Sequence, residues 1–180
     1  GEFRNDNRDG YGEVTRYDGS FYKGNFKNDT RHGYGIYQCQ CGCLYQGNYV
    51  NNCRSGNGSY KDPFGNTFKG KFDNNLKNGV GTLTYKKDNS KLSGYWKEGL
   101  LDNSENIIYR TRDGIYSGSW LIEEKKLEGE YKCFNGAIIM SSWIWTENIY
   151  DEPPKLQMYG TCLYSSPGGR YYSGYFKNSY

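Results

Sequence analysis

The chain has 180 residues, among them 25 Gly, 20 Tyr and only 4 Pro, and its mean hydropathy is −0.96. Its net charge of +3 comes from 23 basic and 20 acidic residues interleaved along the length, which argues against a domain-wide basic field and a nucleic-acid partner. No run of about 18 or more apolar residues occurs, so a membrane-spanning helix and a signal peptide are not expected within it.

Aliphatic residues are too few for an ordinary core, but aromatics make up 18% of the chain, and each ring can bury ~150–250 Å². The expectation is a folded protein with a thin aromatic core. In chain order, the pattern aromatic-x-Gly-x-aromatic, then Gly-x-Gly, stands first at Tyr22-Lys23-Gly24-Asn25-Phe26 with Gly33 and Gly35. It returns at Tyr45-Gln46-Gly47-Asn48-Tyr49 with Gly56 and Gly58, and at Phe68-Lys69-Gly70-Lys71-Phe72 with Gly79 and Gly81. The central glycine recurs as Gly1, Gly24, Gly47, Gly70, Gly94 and Gly118, every 23 or 24 residues, then as Ser141 and Gly174. A fixed period of this size marks a repeat array. Both ends fall inside a repeat, so the chain reads as a fragment.

Within a unit the alternation is that of a strand, with Tyr22, Gly24 and Phe26 on one face and Lys23 and Asn25 on the other. Polar segments such as Lys27 to His32 and Asp73 to Asn78 read as hairpin turns; Asp18-Gly19, Phe64-Gly65-Asn66, Asp113-Gly114 and Asn135-Gly136 read as links between hairpins. The predicted fold is all-β: an elongated, single-layer, twisted antiparallel ribbon of successive β-hairpins, roughly 70–75 Å long at two strands per unit. Residues 1–138 form the regular array, 139–171 a degenerate unit, and 172–180 the start of a further one. In the fifth unit Asn103 and Glu105 replace the Gly-x-Gly pair. In the seventh, Thr146 to Gln157 with Pro153-Pro154 lengthens the hairpin and is predicted to protrude, bend the ribbon, or both.

A single-layer sheet leaves one face that the chain itself cannot cover. The aromatic rows Tyr22, Phe26, Tyr45, Tyr49, Phe68, Phe72, Trp96, Tyr116 and Trp120 are core residues first, and are further predicted to line a partly open groove for a peptide or helix. The competing reading is that the rings cover one another. Lys27, Arg31, Arg54 and Lys77 fall in predicted turns, where they could meet anionic headgroups. Asp29 and Asp73 share those turns, which favours a charge-mixed rim.

Cys39, Cys41 and Cys43, with Cys53 nearby, carry the chemistry of a zinc site. On a strand, alternate residues lie in a line with little room to converge, so free thiols and no metal are expected. A metal or disulfide shared across a dimer is the form a linkage would take. Six cysteines are too few for a stapled secreted scaffold and point to a reducing, intracellular compartment. His32, the only histidine, reads as a turn residue, and Gly-x-Gly before a strand is no phosphate cradle, so neither catalysis nor a cofactor is expected.

This pattern resembles the MORN repeat (membrane occupation and recognition nexus). Tyr22 to Leu44 is a close match, and Tyr45 to Thr67 and Phe68 to Lys91 follow it well. The resemblance implies a grooved β-sheet with aromatic residues on its inner face, and a role in scaffolding, partner binding or membrane attachment. MORN segments are also appended to enzymes such as lipid kinases and lysine methyltransferases, but no catalytic domain is visible in this sequence. Richness in Asn, Lys and Tyr suggests an AT-rich protist genome, for which an apicomplexan cortical MORN scaffold is the nearest analogue. The function expected is a non-catalytic, self-associating scaffold of the cytoskeleton or cell cortex. Edge strands favour a homodimer; peripheral contact with anionic membrane is the alternative.

Overall fold

The computed structural model describes residues 1–102, 107–121, 124–145 and 149–177. Among them no helix occurs, and the strands form an antiparallel sheet of successive hairpins that does not close into a barrel. The chain divides into two compact units, Gly1–Leu83 with Trp96–Leu100, and Thr84–Tyr95 with Leu101 onward.

The first unit opens with a two-stranded ribbon, β1 (Phe3–Arg4) and β2 (Asn7–Arg8). There follow β3 (Gly10–Thr15), β4 (Phe21–Lys27), β5 (Thr30–Gln38), β6 (Leu44–Val50), β7 (Cys53–Lys61), β8 (Thr67–Asp73) and β9 (Leu76–Thr84). Each pairs with its sequence neighbours, which keeps every ladder local. The hairpin turns are tighter than the polar segments suggest. Lys27 pairs with Thr30, leaving only Asn28 and Asp29 in the loop, both with positive φ (47° and 62°). Asn51-Asn52 and Asn74-Asn75 repeat this. Asn and Asp tolerate the left-handed region that a two-residue type I′ hairpin demands at both positions.

The two glycines of Gly-x-Gly do different jobs. The second leaves room for a ring: Gly24 pairs with Gly35, which pairs with Gly47, then Gly58 and Gly70, a glycine stripe across the sheet. The rings of Tyr22 and Tyr45 lie against Gly35 and Gly58, where any Cβ would collide with them. The first glycine takes a positive φ (75° at Gly33, 66° at Gly56). There β5 and β7 carry extra residues: Gly24 pairs with Gly35, yet Phe26 pairs with Arg31. That slip is a bulge of the kind glycine permits.

The core of this unit is a zigzag of rings. Phe26 packs edge-on to Tyr22, Tyr22 to Tyr49, Tyr49 to Tyr45, Tyr45 to Phe72, Phe72 to Phe68 and Phe68 to Trp96, with centroids 5.0–5.5 Å apart. All seven are buried. Edge-to-face geometry sets the positive ring edge against the negative face, worth about 0.5–1.5 kcal/mol per pair beyond area burial.

The second unit begins with Lys91–Tyr95 of β10 (Lys91–Lys97) and, after β11 (Leu100–Leu101), continues with β12 (Ile107–Arg110), β13 (Gly114–Leu121), β14 (Lys126–Cys133), β15 (Ile138–Trp145), β16 (Leu156–Ser165) and β17 (Tyr171–Lys177). The glycine row continues through Gly118, which pairs with Gly129, and Gly129 with Ser141, while Ile107 pairs with Gly118 on its Gly-x-Gly side. In the neighbouring aromatic row Tyr116 stacks on Tyr131 at 4.0 Å and meets Trp143 edge-on at 5.1 Å. The insertion between β15 and β16 does not protrude where it is described. Ile149, Pro153 and Pro154 are buried. Tyr85 Oη donates to the Ile149 carbonyl, and Lys87 pairs with Glu152 at 2.5 Å. Prolines barred from a ladder serve here as apolar cover. Thr146, Asn103 and Glu105 lie outside the described residues.

Candidate functional site

In the first unit, one side chain per period reaches forward to the next hairpin turn. Asn52 N–H donates to the Arg31 carbonyl (3.0 Å), Arg31 N–H donates to Asn52 Oδ1 (2.9 Å), and Arg31 Nη2 donates to the Asn52 carbonyl (3.0 Å). Arg54 grips Asn75 in the same way, at 3.1, 2.9 and 2.6 Å. The first rung is Arg8 on Asp29, with an added ion pair at 2.8 Å. The Arg8 hydrogen bonds hold the Asp29 carboxyl below the usual carboxylate range. The fourth turn donates Gly99 N–H to the Lys77 carbonyl at 2.9 Å.

These cations lie over the ring zigzag. Arg31 sits 5.0 Å from the Tyr49 centroid and 5.5 Å from that of Tyr37; Arg54 sits 5.1 Å from Tyr60 and 5.5 Å from Phe72. Lys77 Nζ stands 4.5 Å above Trp96. Beneath them burial pushes the phenols of Tyr22 and Tyr45 up to about 12, opposed by the nearby positive charges of Arg31 and Arg54.

The open space above is a trough of two cavities of about 300 Å³ each, both bordered by Arg16, Arg31 and Tyr37. Arg8, Asp29, Tyr22 and Phe26 complete the first, and Arg54, Tyr45, Tyr49 and Tyr60 the second. The trough thus carries four guanidinium groups against one carboxylate, Asp29, which Arg8 already holds. Arg31 and Arg54 face the neutral amides of Asn52 and Asn75, and among the described residues neither is in an ion pair. A guanidinium has five N–H donors, so each keeps donors to offer a ligand. Nothing in this arrangement positions a base against a nucleophile.

The sequence model of the MORN repeat matches residues 1–21, 22–43, 45–67 and 68–90. The chain is a MORN-repeat protein. A search of curated proteins gave no match. Among solved structures this MORN-repeat protein is similar to the SAS-4 (dCPAP) TCP domain in complex with a proline-rich motif of Ana2 (dSTIL) of Drosophila melanogaster. The identity is 14%, over 93% of this chain and 90% of that one, with a TM-score of 0.29, and a likeness that low carries no argument.

The predicted site residues are distributed unevenly over the MORN array. Tyr22 and Phe26 border the first cavity and Tyr45 and Tyr49 the second, as buried floor. Phe68, Phe72 and Trp96 border neither and are buried in the zigzag. Tyr116 and Trp120 belong to the second unit. Of the basic residues read as turn cations, only Lys27 is exposed beside its turn; Arg31, Arg54 and Lys77 stand on strands and fold over the rings. Arg31 and Arg54 are paired with Phe26 and Tyr49 in the short ladder between each turn tip and the bulge at Gly33 or Gly56. Arg8, Arg16, Asn52 and Asn75 escaped the sequence reading. The signal for Arg8, Asn52 and Asn75 was the 23-residue recurrence of Arg8, Arg31, Arg54 and Lys77 alongside Asp29, Asn52 and Asn75; Arg16 has no such counterpart.

Proposed function

We propose that this MORN-repeat protein is a non-catalytic scaffold whose trough binds an extended acidic segment of a partner protein. The observation carrying this reading is the pair Arg31 and Arg54, hydrogen-bonded in place over aromatic rings with no carboxylate partner among the described residues. Fixing a guanidinium in advance removes much of the ordering cost a ligand would otherwise meet. The period sets the spacing of the ligand. Successive arginines are two strands apart, about 10 Å, while a peptide in polyproline II conformation advances ~3.1 Å per residue and repeats its side-chain direction every third residue. An acidic residue at every third position therefore matches successive guanidinium groups, and intervening apolar groups meet Tyr37 and Tyr60.

The test is fluorescence anisotropy with a labelled peptide carrying Glu at every third position, against the same composition at every second. The first binds with a salt-dependent Kd and the second at least tenfold more weakly. The double variant Asn52→Asp, Asn75→Asp, which supplies internal carboxylates as Asp29 does for Arg8, abolishes the difference. Equal binding of both peptides, or preference for phosphoinositide vesicles over either, refutes the reading and favours membrane recruitment.

We further propose self-association through the end of the second unit. An apolar cavity of about 530 Å³ between β15, β16 and β17 is bordered by Met140, Leu163 and Tyr171, the last 84% exposed. Exposed apolar surface of this kind favours pairing with a second copy. Light scattering at twice the monomer mass, reverting to monomer in Tyr171→Lys, is the expected result; a monomer in the native chain overturns it.

A further inference from the structure

The link between β5 and β6 gathers three sulfurs. Cys39, Cys41 and Cys43 lie in a turn, which corrects the sequence reading that a strand would hold them apart in a line. Their sulfur atoms all fall within 4.8 Å of one another, and Cys53 is not among them. The Cys39 sulfur touches those of both Cys41 and Cys43, which are themselves 3.6 Å apart. A sulfur joins only one disulfide at a time, so a disulfide leaves the third thiol unexplained.

The convergence is built by the repeat. The same five-residue closure links other hairpins: Arg16–Ser20, Asp62–Asn66 and Cys133–Ala137 each close through a backbone hydrogen bond from the first residue to the last. The fourth residue is Gly in each (Gly19, Gly65, Gly136, as in Gly42), with φ of 80–96°. This turn brings the first, third and fifth side chains together, as when Ser20 Oγ donates to Asp18 Oδ1 at 2.6 Å. In those links oxygen does the capping: Asp18 accepts from Ser20 N–H, Asp62 from Asn66 N–H and Asn135 from Ala137 N–H. Here Cys43 N–H donates to Cys39 Sγ at 3.1 Å. Sulfur is the weaker acceptor, so turn formation alone does not account for cysteine at all three convergent positions. An N–H aimed at sulfur stabilises a thiolate, the form that binds metal.

We propose that Cys39, Cys41 and Cys43 form a three-thiolate site for a soft metal ion: Cu(I) with three sulfur ligands, or Zn(II) with water as the fourth. Soft thiolates select these ions, and around tetrahedral zinc at ~2.3 Å the sulfurs stand ~3.8 Å apart, a spacing the turn reaches with small adjustment. Cys41 is exposed, which leaves an outer coordination position open to water. Binding releases protons from the three thiols.

The test uses the whole chain, reduced and anaerobic, equilibrated separately with Zn(II), Co(II) and Cu(I), then desalted for metal analysis. One ion per chain is retained, and the cobalt form shows thiolate-to-metal charge transfer with the intense visible bands of a tetrahedral site. Zinc retention together with those bands identifies the zinc arm; retention of copper alone identifies the three-coordinate arm. Cys41→Asn and Cys43→Ala reproduce the residues of the 133–137 link, so the turn still closes, with circular dichroism as the check. Each lowers affinity by at least ~100-fold, the upper range for losing merely an outer-shell partner. Cys53→Ser leaves binding unchanged. The proposal is overturned if the reduced chain retains no ion in any arm, if both turn variants retain it fully, or if glutathione-buffered protein forms an internal disulfide that excludes the ion.

Discussion

Replacing Gly58 by Ala tests whether the second glycine of each pair exists to seat a ring. A Cβ there stands 2.5 Å from Tyr45 Oη and 2.7 and 2.8 Å from two ring carbons. Tyr45 is buried, so it has no free space into which to retreat. Overpacking of this kind costs about 1–3 kcal/mol. A displaced ring also breaks the hydrogen bond from Tyr45 Oη to the Asn48 carbonyl (3.0 Å), worth about 1 kcal/mol. The expected loss of about 2–4 kcal/mol is a large part of a typical domain's stability of about 5–15 kcal/mol. Gly19 is the control, because a Cβ there meets nothing within 4 Å and only its φ of 80° is unfavourable, costing about 1–2 kcal/mol. Urea unfolding followed by circular dichroism compares the two. In a Tyr45→Leu background the ring is gone, and the cost of Gly58→Ala falls by more than half, read as the coupling in a double-mutant cycle. If Gly58→Ala is no worse than Gly19→Ala, or costs the same with Leu at position 45, steric seating of the ring is not the reason for the glycine.

Other consequences are equally direct. The Tyr22 and Tyr45 phenols sit at about 12 in the fold against ~10 in an unfolded chain. Their contribution is intact below pH ~10 and is lost as pH rises toward 12; urea midpoints across that range fall less steeply in Tyr22→Phe, and an equal slope contradicts this. Asp29 is shifted the other way, so its contribution is present above the ordinary carboxylate range and disappears as pH falls through its folded value; Asp29→Asn flattens the acid limb of a thermal-melt pH series. Arg54→Ala removes the bonds to Asn75 and the contacts with Tyr60 and Phe72. It destabilises by about 1–3 kcal/mol, and Arg54→Lys restores less than half, because an ammonium lacks the planar fork.

The hairpin array was legible because its glycines and aromatics recur in register, and a period of two within each motif leaves little doubt about which residues share a face. The link at Asn135-Gly136 was equally plain, since Gly136 takes the positive φ that turn residues announce. The direction of Arg31 was not legible. Arg31 falls in the polar segment read as a turn, whereas its pairing with Phe26 places it on β5, where it leans over the rings. The contact of Tyr22 with Tyr49 rather than with its own unit alone is likewise a matter of which neighbour a ring leans toward. The cysteine cluster was misjudged because Cys39 to Cys43 was assigned to a strand, while its Gly42, at φ 90°, makes a turn.

The forward grip of Arg31 on Asn52 and Arg54 on Asn75 makes the array editable by whole periods. Each cation needs only an asparagine or aspartate 21 residues ahead, and each ring only the ring of the following motif. Excision of residues 45–67 sets Arg31 before Asn75 and Tyr22 before Phe72, contacts of the kind that were removed. Such a chain gains or loses reach in fixed steps by unequal recombination, each product inheriting a joint already fitted, so a lineage can adjust the number of rungs without redesigning any one of them.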